Sequence, residues 1–156
     1  MERSTPNRIE SWVRLAATRG LLVAALISAL AVIAGALGPW VQDYETERHL
    51  VDGLDRDGVA TLCAGIGAVL AAIAALVWRR LAVIATPVLA ACGAATVALA
   101  LDNMAEIRDE NHFAGIKPVL DVEPAWGLLL TALAGTLLFI AALVVAVRLA
   151  PVSAPT

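Results

Sequence analysis

The stretch from Thr61 to Leu101 constrains the fold of this chain most strongly, because it is too long for one membrane helix. It is about 40 residues of almost unbroken Ala, Val, Leu, Ile and Gly, and its main interruption is Trp78-Arg79-Arg80. A transmembrane helix needs about 20 apolar residues, so the run predicts two helices joined by a turn. Arginines in short loops face the cytoplasm. The stretch therefore predicts a transmembrane hairpin that turns on the cytoplasmic side.

The composition agrees with this prediction, since it is too apolar for a water-soluble domain. Of the 156 residues, 60% are hydrophobic and 4% are aromatic, and the mean hydropathy is +0.82. Soluble domains are about 45–50% apolar. The apolar residues are mainly small and aliphatic, which is typical of helices that pack against one another in lipid.

Two more apolar segments flank the hairpin and bring the number of predicted spans to four. The first ends at Pro39-Trp40, and the last begins at Pro124, since proline suits the first turn of a helix. The predicted spans are 21–41, 58–78, 81–101 and 124–147. They form a single transmembrane domain over 21–149, between a basic N-terminal segment (1–20) and a short tail (150–156). The predicted fold class is all-α: a polytopic membrane protein with a four-helix transmembrane bundle.

The N-terminal segment leaves a second interpretation open. Its arginines, followed by the apolar run 21–33, have the form of a signal peptide, and Ala34-Gly35-Ala36 has the small residues of a cleavage site. The apolar run continues to Leu37, however, which gives it the length of a full span. We therefore expect an uncleaved first span, preceded by a short helix at the membrane surface with Trp12 as an apolar contact.

The distribution of charge predicts how the four spans are oriented. Two acidic connections, 42–57 and 102–123, carry twelve carboxylates and four basic residues, whereas the remaining polar segments carry seven arginines and two glutamates. Basic residues are enriched on the cytoplasmic side, so both termini are predicted to be cytoplasmic and both acidic connections to lie outside. The third span is expected to continue as a helix over Asn103–His112. The predicted localisation is multi-pass, in a bacterial plasma membrane.

The spans contain no Asp, Glu, Lys, Arg or His. Ionisable groups within a bilayer mark proton relays and ion paths, so their absence from the spans argues against a pump or an ion-selective pore in one chain. The two cysteines, Cys63 and Cys92, are predicted at different depths, which argues against a disulfide. We interpret both as packing residues.

Small residues recur at four-residue spacing within the spans, as in Ala90-Ala94-Ala98 and Gly127-Thr131-Gly135. Such rows let two helix backbones approach closely in lipid. They pack either the bundle itself or a partner helix, and the sequence leaves both interpretations open. Gly127, Thr131 and Gly135 are candidate partner-binding residues.

The segment Gly53-Leu54-Asp55-Arg56-Asp57-Gly58 also has two interpretations. It looks like part of a calcium loop, but Gly53 and Ala64 fall where that loop needs its first and last ligands. The alternative is a turn in which Asp57 caps the second span, beside the positive end of the helix. We favour the turn, and name Asp55 and Asp57 as candidate partner-binding residues on the acidic surface.

The two histidines of the chain occur in similar settings, one in each acidic connection. His49 follows Glu47 by two residues, and His112 follows Glu110 by two residues. If the connections pack together, these four side chains are candidate ligands of an external zinc or copper ion. They are alternatively a pH-sensitive contact or solvated loop residues, because histidine titrates near neutral pH.

Motifs of other function classes are missing from the sequence. It has no glycine-rich nucleotide loop, no nucleophile elbow and no basic nucleic-acid patch. We therefore predict that the protein is not an enzyme, uses no cofactor and binds no nucleic acid.

Two short motifs resemble those of a group of membrane proteins. At 53–58, before the second span, and at Glu123-Pro124-Ala125-Trp126-Gly127-Leu128, entering the fourth, the chain is similar to small four-span membrane proteins of actinobacteria. The likeness covers the layout from the first span to the fourth. These proteins have no agreed activity, so the resemblance implies topology and localisation but no site.

The function predicted from these features is that of a non-enzymatic membrane accessory or scaffold protein. It would bind another membrane protein through its acidic outer surface and small-residue helix faces, with the lipid bilayer as its surroundings. One alternative is a homo-oligomeric transport or channel component. The other is an extracytoplasmic metal or pH sensor.

Overall fold

Four long helices and three short strands make up the described part of the chain. The computed structural model describes residues 8–43, 49–55, 57–78, 80–113 and 122–150. The helices are α1 (Arg8–Leu37), α2 (Gly58–Val77), α3 (Ala82–Phe113) and α4 (Trp126–Leu149). The strands are β1 (Pro39–Asp43), β2 (His49–Asp52) and β3 (Val122–Pro124), and a 3-10 turn lies at Gly53–Asp55.

The helices pack as a bundle in which α1 and α3 each contact both α2 and α4. Each helix contains a stretch that is long and apolar enough to cross a membrane, namely Ala16–Leu37, Gly58–Val77, Ala82–Arg108 and Trp126–Leu149. The prediction of an all-α bundle with four apolar helices is therefore confirmed. These helices are those of a multi-pass membrane protein.

Many small residues lie in the interior of the bundle beside a few leucines and valines, and most large aliphatic side chains point outward. The core contains Ala25, Ala29, Ala68 and Ala72, all fully buried. On the outside, Leu70 is 63% exposed, and the other helices expose similar side chains. A water-soluble protein rarely exposes apolar surface of this extent, whereas lipid solvates it without cost.

The helices differ from the predicted spans at their ends. α1 ends at Leu37 and α4 begins at Trp126 rather than at the predicted Pro124, because residues 39–41 and Pro124 lie in β1 and β3 instead of in helices.

α1 and α3 are also longer than predicted. α1 begins at Arg8 and runs without a break to Leu37, so the expected separate helix at the membrane surface is instead the first part of α1. α3 has 32 residues, which is about 48 Å at 1.5 Å per residue and longer than a bilayer core of about 30 Å. The predicted continuation of the third span as a helix over Asn103–His112 is thus confirmed.

The three strands form a small antiparallel sheet that the sequence analysis did not anticipate. The strand order is β2-β1-β3, so β1 pairs with both others. Gln42 pairs with His49 of β2 and with Glu123 of β3. We call this sheet, together with the 3-10 turn, the cap, and the end of the bundle that carries it the cap end. The cap joins the two acidic connections through main-chain hydrogen bonds.

Candidate functional site

A hydrogen-bonded pair joins α2 to α3 at the cap end. Asn103 of α3 is only 2% exposed, and its Nδ2 donates to Oδ2 of Asp57 at 3.0 Å and to the carbonyl of Leu99 at 2.9 Å. The amide is satisfied as a donor, while its Oδ1 is buried without a partner among the described residues. The sequence signal for Asn103 is weak: it is the second polar residue after a long apolar run.

Asp57 lies at the predicted N-cap position of α2, but its side chain does not cap the helix. Its backbone has φ −75° and ψ 2°, whereas a capping side chain usually needs an extended backbone. The carboxylate accepts from Asn103 instead. The predicted side-chain cap is therefore wrong, and Asp57 anchors α3. Its carbonyl accepts from the N–H and the hydroxyl of Thr61 at 3.0 and 3.2 Å.

Two glycines let the turn before α2 pack closely under the cap. A Cβ on Gly58 would lie within 3 Å of the backbone of Gly53, and a Cβ on Gly53 would lie within 3 Å of the Trp40 ring. The N–H of Gly53 also donates to the carbonyl of Gly38 at 3.1 Å. The segment 53–58 thus connects α2 to the end of α1. The side chain of Asp55 lies outside the described residues.

Trp40 is fully buried beneath the cap, although a tryptophan at this depth is expected to face the membrane boundary. Its Nε1 donates to the carbonyl of Gly35 at 3.0 Å. That carbonyl lies in the last turn of α1 and also accepts from the N–H of Gly38 at 3.2 Å. Trp126, on the same end of the bundle, is 53% exposed and keeps the boundary position. The sequence gives no signal that separates these two tryptophans.

The row Gly127, Thr131 and Gly135 is buried inside the chain. A Cβ on Gly127 would meet the carbonyls of Pro39 and Gly35, and a Cβ on Gly135 would meet Thr96 of α3. Thr131 is fully buried, and all three residues therefore contact α1 or α3 rather than a free surface. This corrects the assignment of the row to a partner, because the protein's own helices occupy it.

The closest helix contact within this row is between Thr131 and Gly35. A Cβ on Gly35 would collide with Oγ1 of Thr131, so a Cα hydrogen of Gly35 points toward that oxygen. Oγ1 has no conventional hydrogen-bond partner in the described part of the chain. A Cα–H···O contact of this kind recurs where helices cross closely.

The side chains of the predicted metal ligands lie outside the described residues. His49 lies in β2, and Glu110 and His112 lie at the end of α3, but their side chains are outside the described residues. Glu47 falls in the undescribed range 44–48. Among the residues that are described, no group of three or more His, Cys, Asp or Glu is placed to hold a metal ion. The metal site stays a prediction.

One helix exposes a row of small residues instead of large ones. Ala91, Ala94, Ala95 and Ala98 of α3 are all exposed, and we call this row the alanine face. Along α3, the large exposed apolar side chains lie before and after the alanine face: the last one before it is Val88, and the first one after it is Leu101. At about 100° per residue, exposed Asp102 continues the alanine face toward the cap end.

No protein-family model matches this chain, and no curated protein or solved structure is significantly similar to it.

Proposed function

We propose that the chain is a non-enzymatic accessory or scaffold protein that binds a second membrane protein through the alanine face and the acidic cap. The observation that carries the proposal is the alanine face itself. Lipid tails do not interact more favourably with an exposed alanine than with a leucine. A partner helix, by contrast, gains dispersion contacts when its backbone approaches small residues. The face is exposed, unlike the buried row on α4.

The proposal includes an orientation, with the cap outside a bacterial plasma membrane and both termini in the cytoplasm. Basic residues support it, since Arg80 and Arg148 lie at the end of the bundle opposite to the cap. Exposed Asp52, Asp57 and Asp102 lie at the cap end. Labelling of Asp52→Cys and Arg80→Cys with an impermeant thiol reagent in intact cells tests the orientation. Only the first variant should react.

Asp102 favours a different protein over a second copy as the partner. Two copies inserted with the same orientation and packed through their alanine faces would bring the two Asp102 carboxylates to the same depth. Like charges at close range repel, and the repulsion grows near apolar surroundings. A partner helix with a lysine or arginine at this depth would instead form an ion pair. The proposed partner is therefore a helix with a small-residue face and a basic outer end.

Copurification of variants tests this proposal. The tagged protein is purified from its host membrane in mild detergent, and its stoichiometric partner is quantified for Ala94→Leu, Ala98→Leu and Asp102→Lys. Each variant should lose the partner, because leucine separates the helices and lysine reverses the charge. The matched control is Ala34→Leu, which enlarges an exposed alanine on α1. A partner retained by all variants, or no partner in the wild type, would contradict the proposal.

The transport alternative is less well supported. It places threonines on the axis of a homo-oligomer, but Thr61, Thr86, Thr96 and Thr131 are all buried within one chain, and exposed Thr136 donates its hydroxyl to the carbonyl of Ala132 in its own helix. The metal or pH sensor built on His49 and His112 has no observation in its favour beyond the sequence pattern. Metal analysis of a double His→Ala variant tests it.

A further inference from the structure

An apolar groove lies between α3 and α4 at the end of the bundle opposite to the cap. Its volume is about 270 Å³, and its lining includes Val83, Pro87, Ala142, Leu143 and Ala146. The groove extends over eight residues of each helix, about 12 Å at 1.5 Å per residue. It therefore runs along the helices, in the direction that a lipid chain takes in a bilayer.

The groove exists because its wall on α4 contains alanines beside its leucines and its wall on α3 contains a proline. Ala142 and Ala146 leave space where Leu or Ile would fill it. Thr86, the polar residue of the lining, donates its hydroxyl to the carbonyl of Ala82 at 2.6 Å. The hydroxyl is thus satisfied within its own helix, so the groove requires no polar group from an occupant.

A positive charge lies at the mouth of the groove. Arg80 is exposed and lies two residues before the start of α3, three positions before Val83 of the groove lining. The amino end of α3 adds the positive end of a helix dipole at the same level. Arg148, by contrast, lies on the side of α4 that faces away from Ala146.

We propose that this groove binds one anionic phospholipid, with an acyl chain between α3 and α4 and the phosphate beside Arg80. The inference is independent of which protein binds the alanine face. The apolar lining favours a hydrocarbon chain, and the charge of Arg80 favours an anionic headgroup over a zwitterionic one. A juxtamembrane basic residue contributes about a fivefold preference for anionic lipid.

Native mass spectrometry of the full chain in detergent tests the proposal. The protein is titrated with dioleoylphosphatidylglycerol and, separately, with dioleoylphosphatidylcholine. One phosphatidylglycerol molecule should bind with about fivefold higher affinity than phosphatidylcholine. Arg80→Gln should remove this preference, and Arg80→Lys should keep it. Inorganic phosphate alone should give no adduct, because the acyl chain supplies most of the binding.

A second variant tests the groove itself. Ala146→Leu places a large side chain into the groove. Because Ala146 is exposed, the bundle should still fold. The variant should bind both lipids at least tenfold more weakly than the wild type. Ala94→Leu, on the alanine face, and Arg148→Gln are the controls and should bind lipid as the wild type does. Thermal unfolding of each variant reports whether it is folded. Equal binding by Ala146→Leu and the wild type, or equal binding of the two lipids by the wild type, would overturn the proposal.

Discussion

Asn103 and Asp57 are 46 residues apart in the sequence, yet Nδ2 of the first lies 3.0 Å from Oδ2 of the second. The bond connects the start of α2 to the point where α3 passes beyond the apolar run. A second bond, from the same nitrogen to the carbonyl of Leu99, fixes the amide in one orientation. The buried side chain of Asn103 therefore helps to fix the relative position of α2 and α3 at the cap end.

Removing that side chain should destabilise the protein. Asn103→Ala leaves the Leu99 carbonyl and the Asp57 carboxylate without this donor, and we expect a loss of about 1–3 kcal/mol in the free energy of unfolding. Asn103→Asp should lower the free energy of unfolding further than Asn103→Ala does, because it replaces the donor by a carboxylate that faces Asp57. The measurement is the thermal unfolding midpoint in detergent.

The control for this prediction is Asp57→Asn, which keeps an oxygen that accepts from Asn103. Because Asp57 is exposed, its charge adds little to the bond, and the unfolding midpoint should change only slightly. An Asn103→Asp variant as stable as Asn103→Ala would mean that the amide does not face the carboxylate.

The helices could be predicted from the sequence, whereas their partners could not. Apolar runs of about 20 residues identify membrane helices whatever those helices contact. The row Gly127-Thr131-Gly135 predicts a close helix contact, and the structure has one, but small residues do not specify whether α1, α3 or another protein supplies the second helix. Only the three-dimensional arrangement decides this, and it assigns the row to the chain itself.

Close packing of α1 on α4 should make Gly35 intolerant of any side chain. A Cβ there would lie within 3 Å of both the Gly127 carbonyl and the backbone nitrogen of Thr131. Gly35→Ala should therefore cost about 1–3 kcal/mol through overpacking. Gly20→Ala is the matched control in the same helix, because nothing lies within 4 Å of its Cβ. It should stabilise α1 by about 0.5–1 kcal/mol. Similar effects of the two substitutions would disprove the close contact.

The tryptophans should differ in their access to lipid. Trp40 is fully buried, whereas Trp126 is 53% exposed and Trp78 is 60% exposed. Variants that keep one tryptophan each are reconstituted into vesicles that contain brominated phospholipid, which quenches indoles in contact with it. We expect strong quenching of Trp126 and Trp78 and weak quenching of Trp40. Quenching of Trp40 equal to that of Trp126 would show that the cap does not cover it.

The cap could not be predicted because its strands lack the usual sequence signals. β2 and β3 have four and three residues, too few for an alternating pattern, and the pairing of β1 with β2 is irregular. The charged residues of the two acidic connections are as typical of a loop as of a short sheet. One signal agrees with the sheet: Pro124 lacks an N–H and lies in β3, an edge strand, where a missing donor is tolerated.

The pairing of β1 with β3 predicts a specific cross-link between the two acidic connections. Gln42 and Glu123 are partners in the register, and paired residues of antiparallel strands have Cα atoms about 5.5 Å apart, within the range for a disulfide. In a background without Cys63 and Cys92, Gln42→Cys with Glu123→Cys should form a disulfide under mild oxidation. Gln42→Cys with Val122→Cys should not, because neighbouring strand residues point to opposite faces. Gel mobility after proteolysis between the two positions measures the cross-link. Equal cross-linking of both pairs would mean that this connection moves freely, and the acidic cap could not then present a fixed surface to a partner.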